Sequence, residues 1–219
     1  SDASHELRTP LTVIKGTLEV LIRKPRATQE YEEKINFCVA EVDRLNHLVD
    51  QLLVLARYEN EKQTLKKEPV YLNGVLLYTL ARQSAFIESK EISIQTELED
   101  DFYCLSDHHF VSIIVTNLIS NALKYSNQHG TIQIQLKHKL NQIQCSIIDN
   151  GIGIPQSDLE KVFQPFFRSK ALNHPEIKGI GVGLSIVQRL CSLLSIGIDI
   201  SSTEKLGTKV ELIFQKQPK

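Results

Sequence analysis

The sequence is poor in features that mark several classes of protein. Its 219 residues include 25 lysines and arginines against 26 aspartates and glutamates, so the formal net charge is only −1. A nucleic-acid-binding surface needs a basic excess, so this balance argues against a nucleic-acid partner. No run approaches the ~18 uninterrupted apolar residues that span a membrane, and no signal-peptide pattern is present. We therefore expect no membrane contact by this part of the protein.

Methionine and tryptophan are absent, and aromatic residues make up only 6% of the chain. Because the sequence begins without a methionine, we expect it to have been cut from a longer protein. Paired cysteines are missing as well, since Cys38, Cys104, Cys145 and Cys191 form no CxxC redox or zinc motif. Each lies in an apolar context, which predicts buried, free thiols in a protein of a reducing compartment.

The first part of the chain has the apolar spacing of two helices. Two runs repeat every three or four residues, namely Leu7, Leu11, Ile14, Leu18 and Leu21, and then Ile35, Cys38, Val42, Leu45, Val49 and Leu52. Pro25 and Thr28 lie between the runs and indicate a turn and a new helix start. One hairpin cannot bury both stripes, so we predict that two copies pair as a four-helix bundle in a homodimer. A hairpin that packs on the rest of its own chain is the alternative.

Beyond residues 63–67 the pattern changes to helices intermixed with alternating strands. Strands are predicted at 68–72, 92–96, 102–105, 131–137, 143–148, 196–200 and 210–214. Helices are predicted at 75–88, 107–125, 159–163 and 183–194. This order predicts an α+β fold, in which a helical hairpin (residues 1–65) precedes an α/β sandwich with helices on one face of a sheet (residues 66–219).

A histidine followed by a carboxylate stands near the start of the first helix. The neutral imidazole of His5 is a capable nucleophile, and Glu6 can accept its proton or fix its tautomer. Thr9 lies one turn later on the same face, where its hydroxyl could orient a water, and Pro10 bends the helix at the Glu6 carbonyl. Without a partner site, an ordinary surface His-Glu pair is the more common meaning of this pattern.

A polar stripe on an otherwise apolar helix supplies such a partner site. Asn117, Asn121 and Lys124 recur at helical spacing. Asparagine is a mediocre residue for a helix interior, so a narrow stripe of amides and one lysine favours a cradle for a divalent cation and phosphates. The alternative is the exposed face of an amphipathic helix.

Two glycine-containing segments follow. Asp149 ends an apolar strand, where its carboxylate can accept a hydrogen bond from an exocyclic amine such as that of adenine. Gly151 and Gly153 allow the backbone to approach a flat ligand closely, although the same residues are equally typical of a tight turn.

The second segment opens a helix. Gly179, Gly181 and Gly183 precede a predicted helix, whose first N–H groups can bind an anion. The pattern fits neither a Rossmann motif, which would follow a strand, nor a GxxxxGK[ST] P-loop. Before it, the aromatic cluster at 163–167 could anchor a loop and Arg168 could reach a terminal phosphate, or the cluster could be a satellite core.

In this order and at these separations, the five motifs resemble those of the sensor histidine kinases of two-component systems. The matching segments are residues 4–11 (H-box), 117–125 (N-box), 149–155 (G1 box), 163–167 (F-box) and 179–184 (G2 box). Each motif is degenerate alone, but the ordered set is specific and covers nearly the whole chain. The resemblance implies a dimerisation and histidine-phosphotransfer hairpin followed by an ATP-binding domain of the Bergerat (GHKL) type.

The resemblance also implies a role for each matching residue. His5 would be phosphorylated, Glu6 would act as acid or base, and Thr9 would position water for dephosphorylation of the partner. Asn121, with Asn117 nearby, would hold Mg²⁺. The residues that would contact ATP are Asn117, Asn121, Lys124, Tyr125, Asp149, Gly151, Gly153, Arg168, Gly179, Gly181, Gly183, Leu184 and Thr208. Residues 164–180 would form a lid over ATP, and Val182 departs from the leucine usual in the family.

A member of this family would phosphorylate itself on histidine with ATP and Mg²⁺ and pass the phosphoryl group to an aspartate of a response-regulator receiver domain. It would also dephosphorylate that regulator, and the chain would be the cytoplasmic portion of a membrane-anchored sensor.

Two other classes of function are alternatives. GHKL ATPases of the chaperone, gyrase or mismatch-repair kind carry a glutamate as water-activating base where this chain has Asn117, and an amide cannot abstract a proton. A dimeric scaffold without catalysis is disfavoured by the intact His5, Asn121 and Asp149.

Overall fold

A computed structural model describes residues 3–57, 65–98, 100–169 and 181–215, without the side chains of 3–6, 43, 44, 46–48 and 50–57. The chain divides into two compact units, residues 1–61 and 62–219. Among the helices described, none combines the length and apolarity needed to cross a membrane.

The first unit is a helical hairpin of α1 (Ala3–Ile22) and α2 (Thr28–Arg57). Pro10 lies inside α1. In the turn, the N–H groups of Glu30 and Tyr31 donate to the Ala27 carbonyl oxygen at 3.0 and 3.2 Å, which starts α2. The Arg26 guanidinium pairs with the Glu30 carboxylate and donates to the Val20 carbonyl oxygen, so one side chain joins the two ends of the turn.

The hairpin leaves many apolar side chains exposed and buries few. Leu21 and Cys38 are buried, at 4% and 7% exposure. The apolar residues that remain exposed are Leu11, Val13, Leu18, Val20, Ile22, Ile35, Phe37, Val39, Val42 and Val49. Exposed apolar residues in this number are typical of a surface that binds a partner.

The second unit is an α+β sandwich, and this confirms the predicted fold class. Its elements are β1 (Glu68–Tyr71), α3 (Leu72–Arg82), α4 (Ser84–Ser89), β2 (Ser93–Glu97), β3 (Tyr103–Ser106), α5 (His108–Tyr125), β4 (Thr131–Lys139), β5 (Gln142–Asp149), α6 (Gln156–Leu159), α7 (Gly183–Leu194), β6 (Gly197–Thr203) and β7 (Gly207–Gln215). β1 and β3 form a small antiparallel sheet. The main sheet has the order β2-β4-β5-β7-β6, with only β2 and β4 parallel.

Two of the predicted helices differ from those observed. The single helix predicted at 75–88 is two helices, because Gln83 leaves the helical region (φ −101°, ψ 7°) and its carbonyl oxygen starts α4. The short helix predicted at 159–163 lies instead at Gln156–Leu159, and residues 160–163 form a turn. It starts early because Pro155 fixes its own φ at −59° and its carbonyl oxygen accepts from the N–H of Asp158. Hydrophobic spacing does not detect either of these backbone effects.

Cross-strand register arranges the buried face of the main sheet in rows. One row holds Ile134, Ile147, Val210 and Ile200, and the next holds Leu136, Cys145, Leu212 and Ile198. The row at the end of the sheet is mostly polar and consists of Ile132, Asp149, Thr208 and Ser202. We call these last four residues the end row. Three polar side chains are thus placed on the core-facing side of the sheet, at its edge.

The four cysteines are free and buried, as predicted. Burial raises the pKa of the Cys104, Cys145 and Cys191 thiols to about 12, so these groups stay protonated.

The burial of two neighbouring residues of β7 predicts that alanine substitutions there cost different amounts of stability. Phe214 is 2% exposed on the buried face, whereas Ile213 lies half-buried on the opposite face. Phe214→Ala should lower the free energy of unfolding by about 3–5 kcal/mol, because it removes a large buried side chain and leaves a cavity. Ile213→Ala should cost about 1 kcal/mol. Urea unfolding monitored by circular dichroism measures both, and equal losses would contradict this assignment of the core.

Candidate nucleotide-binding site

The longest helix of the second unit presents the polar stripe. The Asp107 carboxylate caps α5, accepting from the N–H groups of His109 and Phe110 at 3.0 and 3.3 Å. The buried apolar residues of α5 are Val111, Ile114, Val115, Leu118, Ile119, Ala122 and Leu123. Asn117 is buried beside them at 6% exposure, whereas Asn121 and Lys124 are half-buried. The stripe therefore runs along the border of the core.

The start of α7 packs directly on this stripe. Asn117 donates through Nδ2 to the Ile113 carbonyl oxygen at 2.9 Å. A Cβ added to Gly183 would lie 2.9 Å from Asn117 Oδ1 and 3.9 Å from Asn121 Nδ2. The close approach explains a glycine at this position and brings two separate motifs together.

Within the described part of the chain, the N-terminus of α7 has no side-chain cap. Val182 precedes the helix and makes no side-chain hydrogen bond to its first N–H groups. Leu184, beside Gly183, is half-buried, and the Ser185 hydroxyl donates to the Val182 carbonyl oxygen at 2.8 Å. Uncapped N–H groups and the positive end of the helix dipole suit an anion.

Asp149 lies at the opposite side of the site, at the end of β5. Its Oδ1 accepts from the N–H groups of Gly151 and Thr208, at 2.9 and 3.3 Å. Burial raises the pKa of this carboxyl to about 6, and the two backbone N–H groups act against that rise. Oδ2 accepts no hydrogen bond from the residues that the structure describes. Above pH 6 the site therefore holds a buried carboxylate with one oxygen available to a ligand.

The glycines after Asp149 serve backbone packing. A Cβ on Gly151 would lie 2.2 Å from the Tyr125 carbonyl oxygen, and one on Gly153 (φ +66°) would lie 2.0 Å from the Thr203 carbonyl oxygen. The N–H of Ile152 donates to that same Tyr125 oxygen at 3.1 Å. The loop is thus wedged between the end of α5 and the β6–β7 turn, so its glycines are required whether or not a ligand approaches.

Lys90 holds the C-terminal end of α5. Its Nζ donates to the carbonyl oxygens of Leu123, Lys124 and Ser126 at 3.2, 2.9 and 2.9 Å. A cation at this end also opposes the negative end of the helix dipole. Sequence reasoning did not identify Lys90, because it is distant in the chain and belongs to no motif.

Tyr125 and Arg168 lie near each other beside this helix end. Tyr125 is half-buried, and burial raises the pKa of its hydroxyl while the charge of Arg168 lowers it. Arg168 itself is exposed. Its Cγ would lie 3.2 Å from a Cβ added to Gly181, and a guanidinium is a group suited to a phosphate.

The described residues on either side of 170–180 contact each other. The N–H of Phe166 donates to the Gly181 carbonyl oxygen at 2.9 Å. Gly181 has φ +78°, and a Cβ there would lie 2.6 Å from the Phe167 carbonyl oxygen. Gly179 and most of the predicted lid lie in 170–180, outside the described residues.

The predicted phosphoacceptor motif lies in the first unit. His5 and Glu6 lie in the first turns of α1, and their side chains are outside the described ones. Thr9, one turn after His5, is exposed.

Ser202 is a further polar residue of the site that the motifs do not contain. Its hydroxyl lies 2.8 Å from the Ile154 nitrogen, 2.7 Å from the Gly207 carbonyl oxygen and 2.9 Å from the Thr208 hydroxyl. Only the register of the β6–β7 hairpin reveals this position, so the sequence carried no usable signal for it.

Two family models match the chain. Residues 106–218 match the histidine kinase-, DNA gyrase B-, and HSP90-like ATPase family, and residues 1–61 match the His Kinase A (phospho-acceptor) domain. Two similar proteins are the sensor-like histidine kinase SenX3 of Mycolicibacterium smegmatis and the histidine-protein kinase ArlS of Staphylococcus epidermidis. SenX3 is 27% identical over 100% of this chain and 57% of its own, and ArlS is 30% identical over 97% and 47%. The chain thus spans about half the length of these relatives.

Solved structures share the fold. The histidine kinase AdeS of Acinetobacter baumannii has a TM-score of 0.73 at 23% identity, over 98% of each chain. Full-length ShkA in complex with AMPPNP has a TM-score of 0.72 at 22% identity, over 99% of this chain and 45% of its own. ThkA in complex with the response regulator TrrA has a TM-score of 0.69 at 23% identity, over 98% and 60%.

The buried carboxylate predicts a pH-dependent gain in stability for Asp149→Asn. The folded state raises the pKa of Asp149 from 3.8 to about 6, so ionisation costs stability progressively as pH rises through that window. The neutral amide escapes this cost and can still accept from both backbone N–H groups. Its gain in free energy of unfolding should be on the order of 1–3 kcal/mol near pH 7.5 and should shrink near pH 4.5. Urea unfolding at both pH values measures it, with the exposed Asp199→Asn as control; a gain independent of pH would refute the assigned cause.

Proposed function

The chain belongs to the histidine kinase-, DNA gyrase B- and HSP90-like ATPase family, as a sensor histidine kinase with a His Kinase A domain, and on that premise we propose that it phosphorylates its own His5 with ATP. The observation that carries the proposal is the environment of Asn117, whose Nδ2 donates to a backbone carbonyl oxygen and whose Oδ1 faces Gly183. This amide can bind a cation but cannot activate water as a base. The phosphoryl group is therefore kept for an acceptor other than water.

The residues of the site fit ATP at both ends. Asp149 offers an ionised carboxylate oxygen to an exocyclic amine, and the uncapped N-terminus of α7 offers N–H groups to phosphates. Gly183 lets this helix start approach the Asn117 side chain, since a Cβ there would lie 2.9 Å from Asn117 Oδ1. Lys124 and Arg168 add positive charge near the phosphate end.

Mg²⁺ fits the same site. Asn117 and Asn121 would hold it through amide oxygens, since Mg²⁺ prefers oxygen ligands. When bound, Mg²⁺ neutralises charge on the phosphates.

The chain's own residues then carry out the transfer. A ring nitrogen of His5 attacks the γ-phosphorus of ATP, a nitrogen–phosphorus bond forms, and the bond to the β,γ-bridging oxygen breaks as ADP leaves. Glu6 accepts the proton that the imidazole loses. Positioning and charge neutralisation supply most of the rate enhancement in such transfers.

We propose two partners for the first unit. A second copy of the hairpin would cover its exposed apolar face and complete a four-helix bundle. A response-regulator receiver domain would take the phosphoryl group from His5, as the complex of the similar protein ThkA with TrrA suggests. Thr9, exposed one turn from His5, would orient a water when the reaction is the dephosphorylation of that regulator.

The kinase assignment predicts a covalent label on His5. The chain incubated with Mg²⁺ and ATP labelled on the γ-phosphate should retain label that acid removes and base does not. His5→Ala should abolish the label, and the exposed His109→Ala should keep it. Steady release of free phosphate without labelled protein would indicate an ATPase instead, and absence of nucleotide binding would indicate a scaffold.

The dimer assignment predicts that charge on the apolar face separates the copies. Leu18 and Val42 are 44% and 43% exposed on α1 and α2. The double variant Leu18→Glu, Val42→Glu should sediment as a monomer, because each carboxylate would be buried in the paired bundle. Leu206→Glu, on an exposed turn of the second unit, is the control and should not change the sedimentation. A wild-type chain that is monomeric at all accessible concentrations would refute the dimer.

A further inference from the structure

We infer that Ser202 fixes the hydrogen-bond direction of the Thr208 hydroxyl and thereby selects a purine with a 6-amino group over one with a 6-oxo group. The inference rests on the proposed function, because it takes the end row to be the base end of the nucleotide site. It assigns a role in specificity to a residue outside every motif of the sequence.

Strand register places Ser202 beside the proposed base contacts. Asp149 of β5 faces Thr208 of β7, and Thr208 faces Ser202 of β6. Side chains at paired positions lie on the same face of a sheet. Thr208 therefore stands between the carboxylate and the serine, joined to the first by its N–H (3.3 Å) and to the second by its hydroxyl (2.9 Å).

The partners of Ser202 decide which hydroxyl donates. A serine hydroxyl has one hydrogen and two lone pairs. The Gly207 carbonyl oxygen, 2.7 Å away, can only accept, so it takes the hydrogen. The Ile154 N–H, 2.8 Å away, can only donate, so it takes one lone pair. The remaining lone pair of Ser202 must then accept the hydrogen of Thr208.

Thr208 consequently turns only lone pairs toward the ligand. The ionised Asp149 carboxylate is also an acceptor, and its Oδ1 is already held by two backbone N–H groups. Both side chains at the base end are thus acceptors. A 6-amino purine can donate to them, whereas the oxygen of a 6-oxo purine would oppose them without a hydrogen bond. Sites built around a fixed hydrogen-bond polarity discriminate strongly for this reason.

The test compares ATP with inosine triphosphate, which carries a 6-oxo group and lacks the 2-amino group of guanine. Dissociation constants are measured by calorimetry on the full chain with Mg²⁺. In the wild type ATP should bind more tightly. In Ser202→Ala the Thr208 hydroxyl is released and can rotate to donate, so the preference for ATP should fall about tenfold, the effect of one hydrogen bond.

Three matched variants separate this role from simple support of the loop. Ser202→Ala also leaves the Ile154 N–H without its acceptor. That loss should weaken the binding of both nucleotides equally, so the ratio of their dissociation constants should not change. Ser202→Thr keeps the hydroxyl and should keep the preference. Ser201→Ala, on the opposite face of β6, should leave the ratio unchanged. In a Thr208→Val background, Ser202→Ala should shift the ratio no further. Should the alanine variant not fold, Ser202→Cys, a weaker hydrogen-bonding group, should shift it in the same direction by a smaller factor.

Several outcomes would overturn the inference. An equal change of both dissociation constants in Ser202→Ala would show a purely structural residue, and a shift that persists in the Thr208→Val background would show that Ser202 does not act through Thr208. Wild-type binding of both triphosphates with equal affinity would refute the selection alone. Wild-type binding of neither would refute the proposed function and this inference with it.

Discussion

A carboxylate buried at the end of a strand is the constraint on which the second unit depends. Asp149 is 8% exposed, and no cation is recorded as its partner among the described residues. Backbone N–H groups from its own loop and from β7 satisfy Oδ1 instead. Because a buried carboxylate is costly without hydrogen bonds, the loop and the β6–β7 turn must both come close to it. That requirement organises the surrounding backbone.

These close backbone contacts leave no room for a side chain at several positions, which are therefore glycines. A Cβ on Gly207 (φ +114°) would lie 1.9 Å from the Asp149 carbonyl oxygen, and one on Gly151 would lie 2.2 Å from the Tyr125 carbonyl oxygen. The loop after Asp149 is therefore pressed against the end of α5, and Lys90 fixes that end from another side. The proposed base end and the polar stripe are positioned by one continuous set of backbone contacts, which would give a bound nucleotide a rigid frame.

The sequence predicted the parts of this arrangement that depend on local patterns. The heptad spacing before Leu52, the alternation of Ile132 and Ile134, and the amide stripe of Asn117 and Asn121 each reflect a period that a single chain shows directly. The break at Gln83 and the early start of α6 were not predicted, because each depends on the backbone angles of a single residue. The roles of Lys90 and Ser202 were not predicted for a different reason. Their hydrogen-bond partners are set by tertiary packing and by strand register, which no local pattern encodes. For the glycines after Asp149 the sequence left close approach of a ligand and a tight turn equally open, and the structure shows that backbone packing demands them.

The site also shows why binding and stability oppose each other in this unit. An apolar or amide side chain at the end of β5 would avoid the cost that burial places on the carboxylate. The carboxylate nevertheless offers what an amide held by the same two N–H groups cannot, because that amide would turn its NH₂ toward the ligand and oppose an amine with a donor. At the proposed phosphate end the chain carries an amide, Asn117, where a carboxylate could act as a base toward water and an amide cannot. A carboxylate at the proposed base end and an amide at the proposed phosphate end together suit a protein that binds an aminopurine nucleotide. Such a protein would not hydrolyse the terminal phosphate and would transfer it to a histidine.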